Sequence, residues 1–326
     1  KGEAIQLMKD VHTIVFDKTG TITKGKPEIT DLLTVNNWVE EDLLQLAASV
    51  EAGSEHPLGL AIVNGARDKG IGLKELKDFN ALTGKGVKGQ IDGREVLVGS
   101  RRLLAEAGIE LKEIKKEMIR LEEEAKTAML VAIDGELAGI IAVADALKED
   151  SIKAINELKN MGLETAMITG DNERTAKAIA RKVGIDHIVA EVLPEGKVDE
   201  IKRLQDRFGL IAMVGDGIND APALSQADVG IAIGTGTDIA IESSDITLVQ
   251  GQLSAVVKAV KLSRATFRKI KQNLFWAFIY NVIAIPLAIL GLLHPVIAEI
   301  AMAISSITVV TNANLLRRVN IQPDDR

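Results

Sequence analysis

Residues 12–21 read His-Thr-Ile-Val-Phe-Asp-Lys-Thr-Gly-Thr. His12 to Phe16 is a short, β-rich apolar run that ends directly in an acidic loop containing glycine. Two later stretches repeat the pattern. Thr165 to Ile168 leads into Thr169, Gly170, Asp171 and Asn172, and Gly209 to Val214 leads into Gly215, Asp216, Gly217, Ile218, Asn219 and Asp220. Between these runs, Ser151 to Met161, Thr175 to Val183 and Lys197 to Phe208 carry apolar residues at helical spacing. Strand alternating with helix predicts an α/β fold built on a doubly wound parallel sheet. In such sheets functional loops gather at the carboxyl ends of the strands, where all three acidic loops fall.

The chemistry of those loops is that of phosphoryl transfer. Asp17 projects from a strand end into a loop whose backbone amides can receive phosphate, and a carboxylate there can attack phosphorus. An aspartate nucleophile divides hydrolysis into phosphorylation and dephosphorylation, so that a conformational change can fall between the two. Paired acids on a glycine loop, Asp216 and Asp220, suit the oxygen coordination of Mg²⁺. Thr169 and Gly170 offer a hydroxyl and an amide for a phosphate, and Lys197, opening a helix, can neutralise charge on the transferred group. Taken singly, Asp17 is more often a loop acid than a nucleophile; the order in which the three loops occur gives it weight.

The region from Lys26 to Ala142 breaks the βα rhythm. Helices are predicted over Glu40 to Ser49 and Glu110 to Glu124, beside hairpins turning at Ile91 to Arg94 and at Asp134 to Glu136, which makes it an inserted α+β domain. Glu122 and Lys126 stand at helix spacing for a charged pair. Near Lys271 composition changes abruptly to almost continuous apolar sequence. Leu274 to Leu293 and Val296 to Leu316 each match the length of a membrane-crossing helix, with His294 and Pro295 between them. Arg268, Lys269, Lys271, Arg317 and Arg318 lie at the outer ends, which puts the soluble part on the cytoplasmic side. A buried helical hairpin is the soluble alternative. The domain limits expected are 1–25 and 143–267 for the sheet domain, 26–142 for the insertion, 268–318 for two transmembrane helices and 319–326 for a tail.

The 326 residues carry a formal charge of −7 and no cysteine. The charge gives no basic field for nucleic acid, and the missing cysteine excludes disulfides, thiolate metal sites and cysteine nucleophiles within the chain. The sequence opens Lys1, Gly2, Glu3, Ala4, without a leader, and reads as a fragment.

Asp17 to Thr21, with Thr169 to Asp171 and Gly215 to Asp220, resembles the phosphorylation domain of P-type ATPases. The resemblance implies a haloacid-dehalogenase fold in which Asp17 is phosphorylated and Asp17, Asp216 and the Thr19 carbonyl hold Mg²⁺. Lys18, Thr19, Thr169, Gly170, Asp171, Lys197, Asn219 and Asp220 then carry catalytic and supporting contacts. Ser54, Glu55, His56, Pro57 resembles the nucleotide-domain signature of the heavy-metal branch, which implies that His56 contacts adenine, that Glu55 supports it, and that Gly84 and Gly86 line the ATP cleft. One departure is Ser100, where the family usually has an asparagine after Val98 and Gly99. A serine hydroxyl is shorter than that amide and has a different reach.

In the apolar part, Tyr280 and Asn281 before Pro286, and Met302 before Ser305 and Ser306, resemble the paired signatures of Cu(I) transporters. A thioether is a soft ligand suited to Cu(I), and to Ag(I) equally. Met302 and Ser306 share a helix face by spacing. Glu299, nearer the outer turn, reads as an exit-route acid or as an interfacial one. The expectation is thus the copper-exporting subgroup, a multi-pass cell-membrane ATPase using ATP and Mg²⁺. Its expected partners are the lipid bilayer, upstream helices bearing an intramembrane cysteine pair, an actuator domain and a cytosolic copper chaperone. The alternatives are a soluble haloacid-dehalogenase phosphatase with a cap domain, and a non-catalytic nucleotide-binding module.

Overall fold

The computed structural model of the chain describes residues 2–111, 114–216, 220–234, 238–292 and 294–323. After a short helix α1 (Gly2–Leu7), the chain enters β1 (Thr13–Asp17), turns through Lys18–Ile22 and leaves along β2 (Thr23–Thr34). The insertion follows: α2 (Glu40–Glu51), α3 (Pro57–Asp68), β3 (Leu76–Leu82), β4 (Gly86–Ile91), β5 (Arg94–Gly99), α4 (Arg101–Glu106), α5 (Lys115–Glu123), β6 (Thr127–Ile133) and the returning β7 (Glu136–Leu147). The sheet domain then resumes with α6 (Ser151–Asn160), β8 (Glu164–Ile168), α7 (Glu173–Val183), β9 (His187–Val189), α8 (Lys197–Phe208), β10 (Ile211–Gly215), α9 (Ala221–Gln226), β11 (Val229–Ile233), α10 (Asp238–Ser243) and β12 (Ile246–Leu248). Two long helices close the chain, α11 (Ser254–Ile289) and α12 (Pro295–Asn314).

The first sheet is parallel in the order β12-β11-β10-β1-β8-β9, with β1 at its centre. Side chains alternate across a strand, so β1 supplies both faces. Ile14 and Phe16 pack with Ile155, Leu158, Ile179, Val256 and Val260 on one side, while Val15 packs with Ile201, Leu204 and Leu224 on the other. All of these side chains are buried. A sheet covered on both faces is what near-continuous apolar strands require. Phe16 pairs with Val214 and Asp17 with Ile168, so the three acidic loops emerge side by side.

The insertion is an antiparallel sheet, β2-β7-β6-β5-β4-β3. Leu43, Leu44, Ala47 and Ile62 from α2 and α3 cover one face, and Leu103, Leu104, Met118 and Leu121 from α4 and α5 cover the other. The tight β4–β5 and β6–β7 turns place Asp92 at φ 52° and Asp134 at φ 52°, each before a glycine, as two-residue hairpins require. The expected helix from Glu110 begins only at Lys115.

The break in composition near Lys271 has no counterpart in the backbone. α11 runs unbroken from Ser254, and Val256, Val257 and Val260 of its first turns are buried in the sheet domain. Ser263 Oγ donates to the Ile5 carbonyl, and Arg264 donates to the Met161 carbonyl at 2.9 Å. At 1.5 Å per residue the 36 residues reach about 54 Å, enough for an anchored stalk and a crossing of the ~30 Å hydrocarbon layer. The apolar windows of α11 and α12 are unburied, which separates them from core helices of a soluble protein.

Candidate active site

β1 ends on Asp17, which is 5 % exposed. Its Oδ1 accepts from Lys197 Nζ at 2.7 Å, and the same ammonium donates to Asp220 Oδ1 at 2.6 Å. Lys197 is the first residue of α8, so the helix places its side chain across the ends of β1 and β10. Burial first, and then the neighbouring Asp220, push the Asp17 carboxyl up to about 7; Lys197 opposes this and Asp216 adds to it. Burial alone would lower Lys197, but the charges of Asp17 and Asp220 more than offset it and the ammonium is held above its usual range.

Glycine makes the crowding possible. A Cβ on Gly215 would lie 2.6 Å from Asp220 Oδ2, and one on Gly20, whose φ is +74°, would lie 3.3 Å from Asp216 Oδ2. Asp17, Asp216 and Asp220 therefore converge, with Thr19 in the loop between the first two. Asp17 and Asp220 share one lysine, and Asp216 is near enough to raise the Asp17 carboxyl, so the site offers the anionic oxygen donors that Mg²⁺ takes, and their mutual repulsion is what a divalent cation would relieve. Asn219 lies outside the described residues.

A second ion pair braces the neighbouring loop. Lys18 Nζ donates to Asp171 Oδ2 at 2.7 Å, with both side chains about nine-tenths buried. The Asp171 amide donates to Thr169 Oγ1 at 3.1 Å, and Gly170 continues the turn into α7, whose N-cap Asn172 accepts from Arg174 and Thr175. The amides that follow β8 are thus ordered beside Lys18.

The insertion faces this site through its turns. His56 caps α3: its Nδ1 accepts from the Leu58 amide at 3.2 Å, with Pro57 in the first helical position. A ring that accepts through Nδ1 carries its proton on Nε2, leaving a donor for a ligand. Burial, then the Lys18 charge, hold the imidazole below its ordinary range, with Asp171 opposing. His56 therefore lies within electrostatic reach of the phosphate loops. Glu55 is exposed and joins no hydrogen bond among the described residues. Gly84 has φ +69°, and a Cβ there would come 2.8 Å from Leu193 of the sheet domain. Gly86 pairs with Gly99, and a Cβ on Gly86 would stand 2.2 Å from the Val98 carbonyl oxygen. Ser100 donates its amide to the Lys85 carbonyl at 2.7 Å while its hydroxyl has no partner among the described residues.

Two residues of consequence have no signal in the local sequence. Glu51, 2 % exposed at the end of α2, sits behind the His56 turn, and burial pushes its carboxyl up to about 7 against a hydrogen bond from Ser54. Asp145 fastens the two strands that join the domains: it accepts from Thr23 Oγ1 at 2.6 Å, the Gly25 amide at 3.1 Å and the Lys26 amide at 3.1 Å.

The apolar helices bring less together. Asn281 donates to Ala277 of its own helix at 3.1 Å, the Tyr280 ring lies tilted 6.5 Å from Trp276, and Met302 is 69 % exposed. No hydrogen bond joins Tyr280 or Asn281 to Ser306 among the described residues. Asn312, by contrast, accepts from Lys269 at 2.8 Å and donates to Asn273 at 2.7 Å, which ties α12 to α11.

With this geometry in hand, comparison with known proteins is direct. Residues 11–228 match the family of haloacid dehalogenase-like hydrolases. The copper-exporting P-type ATPase of Bacillus subtilis is 53 % identical over 98 % of the chain and 40 % of its own length. The probable copper-exporting P-type ATPase V of Mycobacterium tuberculosis is 52 % identical over 97 % of the chain and 41 % of its own length. The chain thus spans about two fifths of these relatives. Among solved structures, a zinc-transporting PIB-type ATPase in its E2.Pi state superposes with TM-score 0.71 at 36 % identity, over 97 % of this chain and 51 % of that one. The catalytic domain of the CPx-ATPase CopB-B gives 0.62 at 31 %, over 80 % of this chain and 92 % of that one. The chain belongs to the haloacid dehalogenase-like hydrolases, within their heavy-metal P-type ATPase branch.

Proposed function

We propose that this chain is the ATP-binding and phosphorylation portion, with a transmembrane hairpin, of an ATP-driven Cu(I) exporter of the cell membrane, its soluble domains cytoplasmic. The observation that carries the reading is the buried Asp17–Lys197–Asp220 cluster at the carboxyl end of β1. Asp17 attacks the γ-phosphorus of ATP, forming an acyl phosphate as the bond to the ADP oxygen breaks. Lys197 is placed to neutralise the transferred group, and the Thr169 hydroxyl and Gly170 amide to orient its oxygens. Lys18 holds Asp171, and through it the loop, in register. Mg²⁺, held by Asp17, Asp216 and the Thr19 carbonyl with Asn219 and Asp220 in support, supplies charge neutralisation when bound. His56 donates from Nε2 toward adenine, Glu55 supports that turn, and Gly84 and Gly86 let the backbone approach the phosphates.

Division of the chain at 1–25, 26–142, 143–267, 268–318 and 319–326 follows from these roles. Tyr280, Asn281, Met302 and Ser306 are assigned to the Cu(I) path, completed by upstream helices with a cysteine pair; an actuator domain and a copper chaperone are the remaining partners. A soluble phosphatase is not favoured, since both copper-exporting relatives match through the two apolar helices.

The test is phosphorylation of the intact protein by labelled ATP and Mg²⁺ in the presence of Cu(I), Ag(I), Zn²⁺ or no metal. A hydroxylamine-labile product that requires Cu(I) supports the assignment. A product driven by Zn²⁺ alone would move the substrate to another metal and leave the Asp17 chemistry standing.

A further inference from the structure

The insertion meets the sheet domain along one edge, where the end of α5 and the turn after it lie along α7, from Arg174 and Thr175 in its first turn to Lys182 in its last. Glu122, 3 % exposed at its side chain, accepts from Arg101 of its own domain and from Arg174 Nη1 of the sheet domain at 3.4 Å. Lys182 Nζ donates to the Glu124 carbonyl at 2.8 Å, and Thr175 Oγ1 to the Lys126 carbonyl at 3.0 Å. The helical spacing of Glu122 and Lys126 does not become an ion pair, because α5 ends at Glu123 and Ala125 turns left-handed at φ 69°. That turn aims the two carbonyls at α7 and sends Lys126 to Asp31 and Glu124 instead.

The two arginines meet at Glu122 and adjoin the loops of the proposed site in sequence. Arg101 follows Gly99 and Ser100 of the glycine crossing, and Arg174 stands three residues beyond Asp171. We infer that Arg101, Glu122 and Arg174 form an inter-domain latch that holds the cleft closed before nucleotide arrives, with Arg174 as the positioning residue that the sheet domain contributes. This goes beyond the assignment of Asp17, and the pose it concerns is the one that brings His56 toward Lys18 and Gly84 against Leu193. A carboxylate buried between two guanidinium groups from different domains is costly to separate, since opening leaves part of its charge unpaired. Arg174 is 47 % exposed, so the latch is open to screening by salt and remains reversible.

The chain lacks cysteine, so Asp68→Cys in α3 and Asp206→Cys in α8, both exposed, can carry a spin-label pair across the two domains. Without nucleotide the parent chain should give one narrow distance distribution, and Arg174→Ala a broad one that narrows again on adding Mg-ATP. Glu122 keeps Arg101 in that variant, so the insertion stays folded. Arg203→Ala, which removes a surface charge paired with Glu200 of the same helix, should leave the distribution narrow. In the intact protein Arg174→Ala should slow acyl-phosphate formation by about tenfold, with Arg174→Lys recovering part of the loss. A narrow distribution in Arg174→Ala, equal broadening in Arg203→Ala, or an unchanged phosphorylation rate would each overturn the latch. The distance measurement involves no phosphate on Asp17, so its failure and a failure of the Asp17 assignment are told apart.

Discussion

Gly84 and Gly86 belong to one glycine-rich turn, yet adding a methyl group should have unequal consequences at the two. At Gly86, with φ +144°, the new Cβ would stand 2.2 Å from the Val98 carbonyl oxygen and 2.6 Å from Gly99 Cα. Both are backbone atoms of β5, which is itself paired to β6, so relief requires β4 and β5 to part by about 1 Å against an ordinary C···O approach of roughly 3.3 Å. Backbone strain of about 1–2 kcal/mol and overpacking of about 1–3 kcal/mol give about 2–5 kcal/mol. At Gly84, with φ +69°, the Cβ meets only a Leu193 methyl at 2.8 Å, which can swing away. An alanine there costs about 1 kcal/mol once the reduced freedom of the unfolded chain is counted.

Urea unfolding read by Trp38 fluorescence in a Trp276→Phe background isolates the insertion, because Trp38 packs on its core. With m of about 1–3 kcal/mol/M, Gly86→Ala should lower the midpoint by about 1 M or more and Gly84→Ala by about half that or less. Equal midpoints, or a larger loss at Gly84, would refute the close crossing of β4 and β5.

Other expectations rest on single groups. Glu51 has a folded pKa near 7, above its value in the unfolded chain, so the stability it lends is complete below about pH 4.5 and is lost as pH rises through 7. Glu51→Gln should therefore flatten the stability profile between about pH 5 and 8 and gain on the order of 2 kcal/mol at pH 8, measured by urea midpoints. Ala125→Gly should stabilise the insertion by about 0.5–1 kcal/mol, because glycine takes the left-handed position without strain; a thermal midpoint that falls would contradict the turn geometry. Asp145→Asn turns an amide group toward one of three donors, and should cost about 1–3 kcal/mol by urea unfolding and slow phosphorylation measured by quenched flow.

Much of the fold is legible because it is local. Runs such as His12 to Phe16 end in glycine and acid, and helical spacing fills the gaps between them, which is enough to announce a parallel sheet and the loops at its carboxyl ends. Hairpins turning at Asp92-Gly93 and Asp134-Gly135 are equally visible, since their φ values demand those residues. The continuity of α11 is less so: Val256 and Val260 belong to the sheet domain's core and Leu274 onward to lipid, so one helix carries two compositions. Glu51, Asp145 and Glu122 escape a reading by motif for another reason. Asp145 and Glu122 act through partners brought close by the fold, such as Thr23 and Asp145, 122 residues apart, and Glu51 is set by burial that only the tertiary packing supplies. Spacing also misleads at Glu122 and Lys126, where one left-handed alanine cancels the helical register.

The central claim is that Asp17 carries the phosphate. The direct measurement is to incubate the intact protein with Mg-ATP and Cu(I), quench in acid, reduce with borohydride, which converts an aspartyl phosphate to homoserine, and sequence the peptides by mass spectrometry. The account predicts homoserine at position 17 and nowhere else, absent when ATP is withheld. Aspartate unchanged at position 17 while phosphate is recovered on another residue would contradict it.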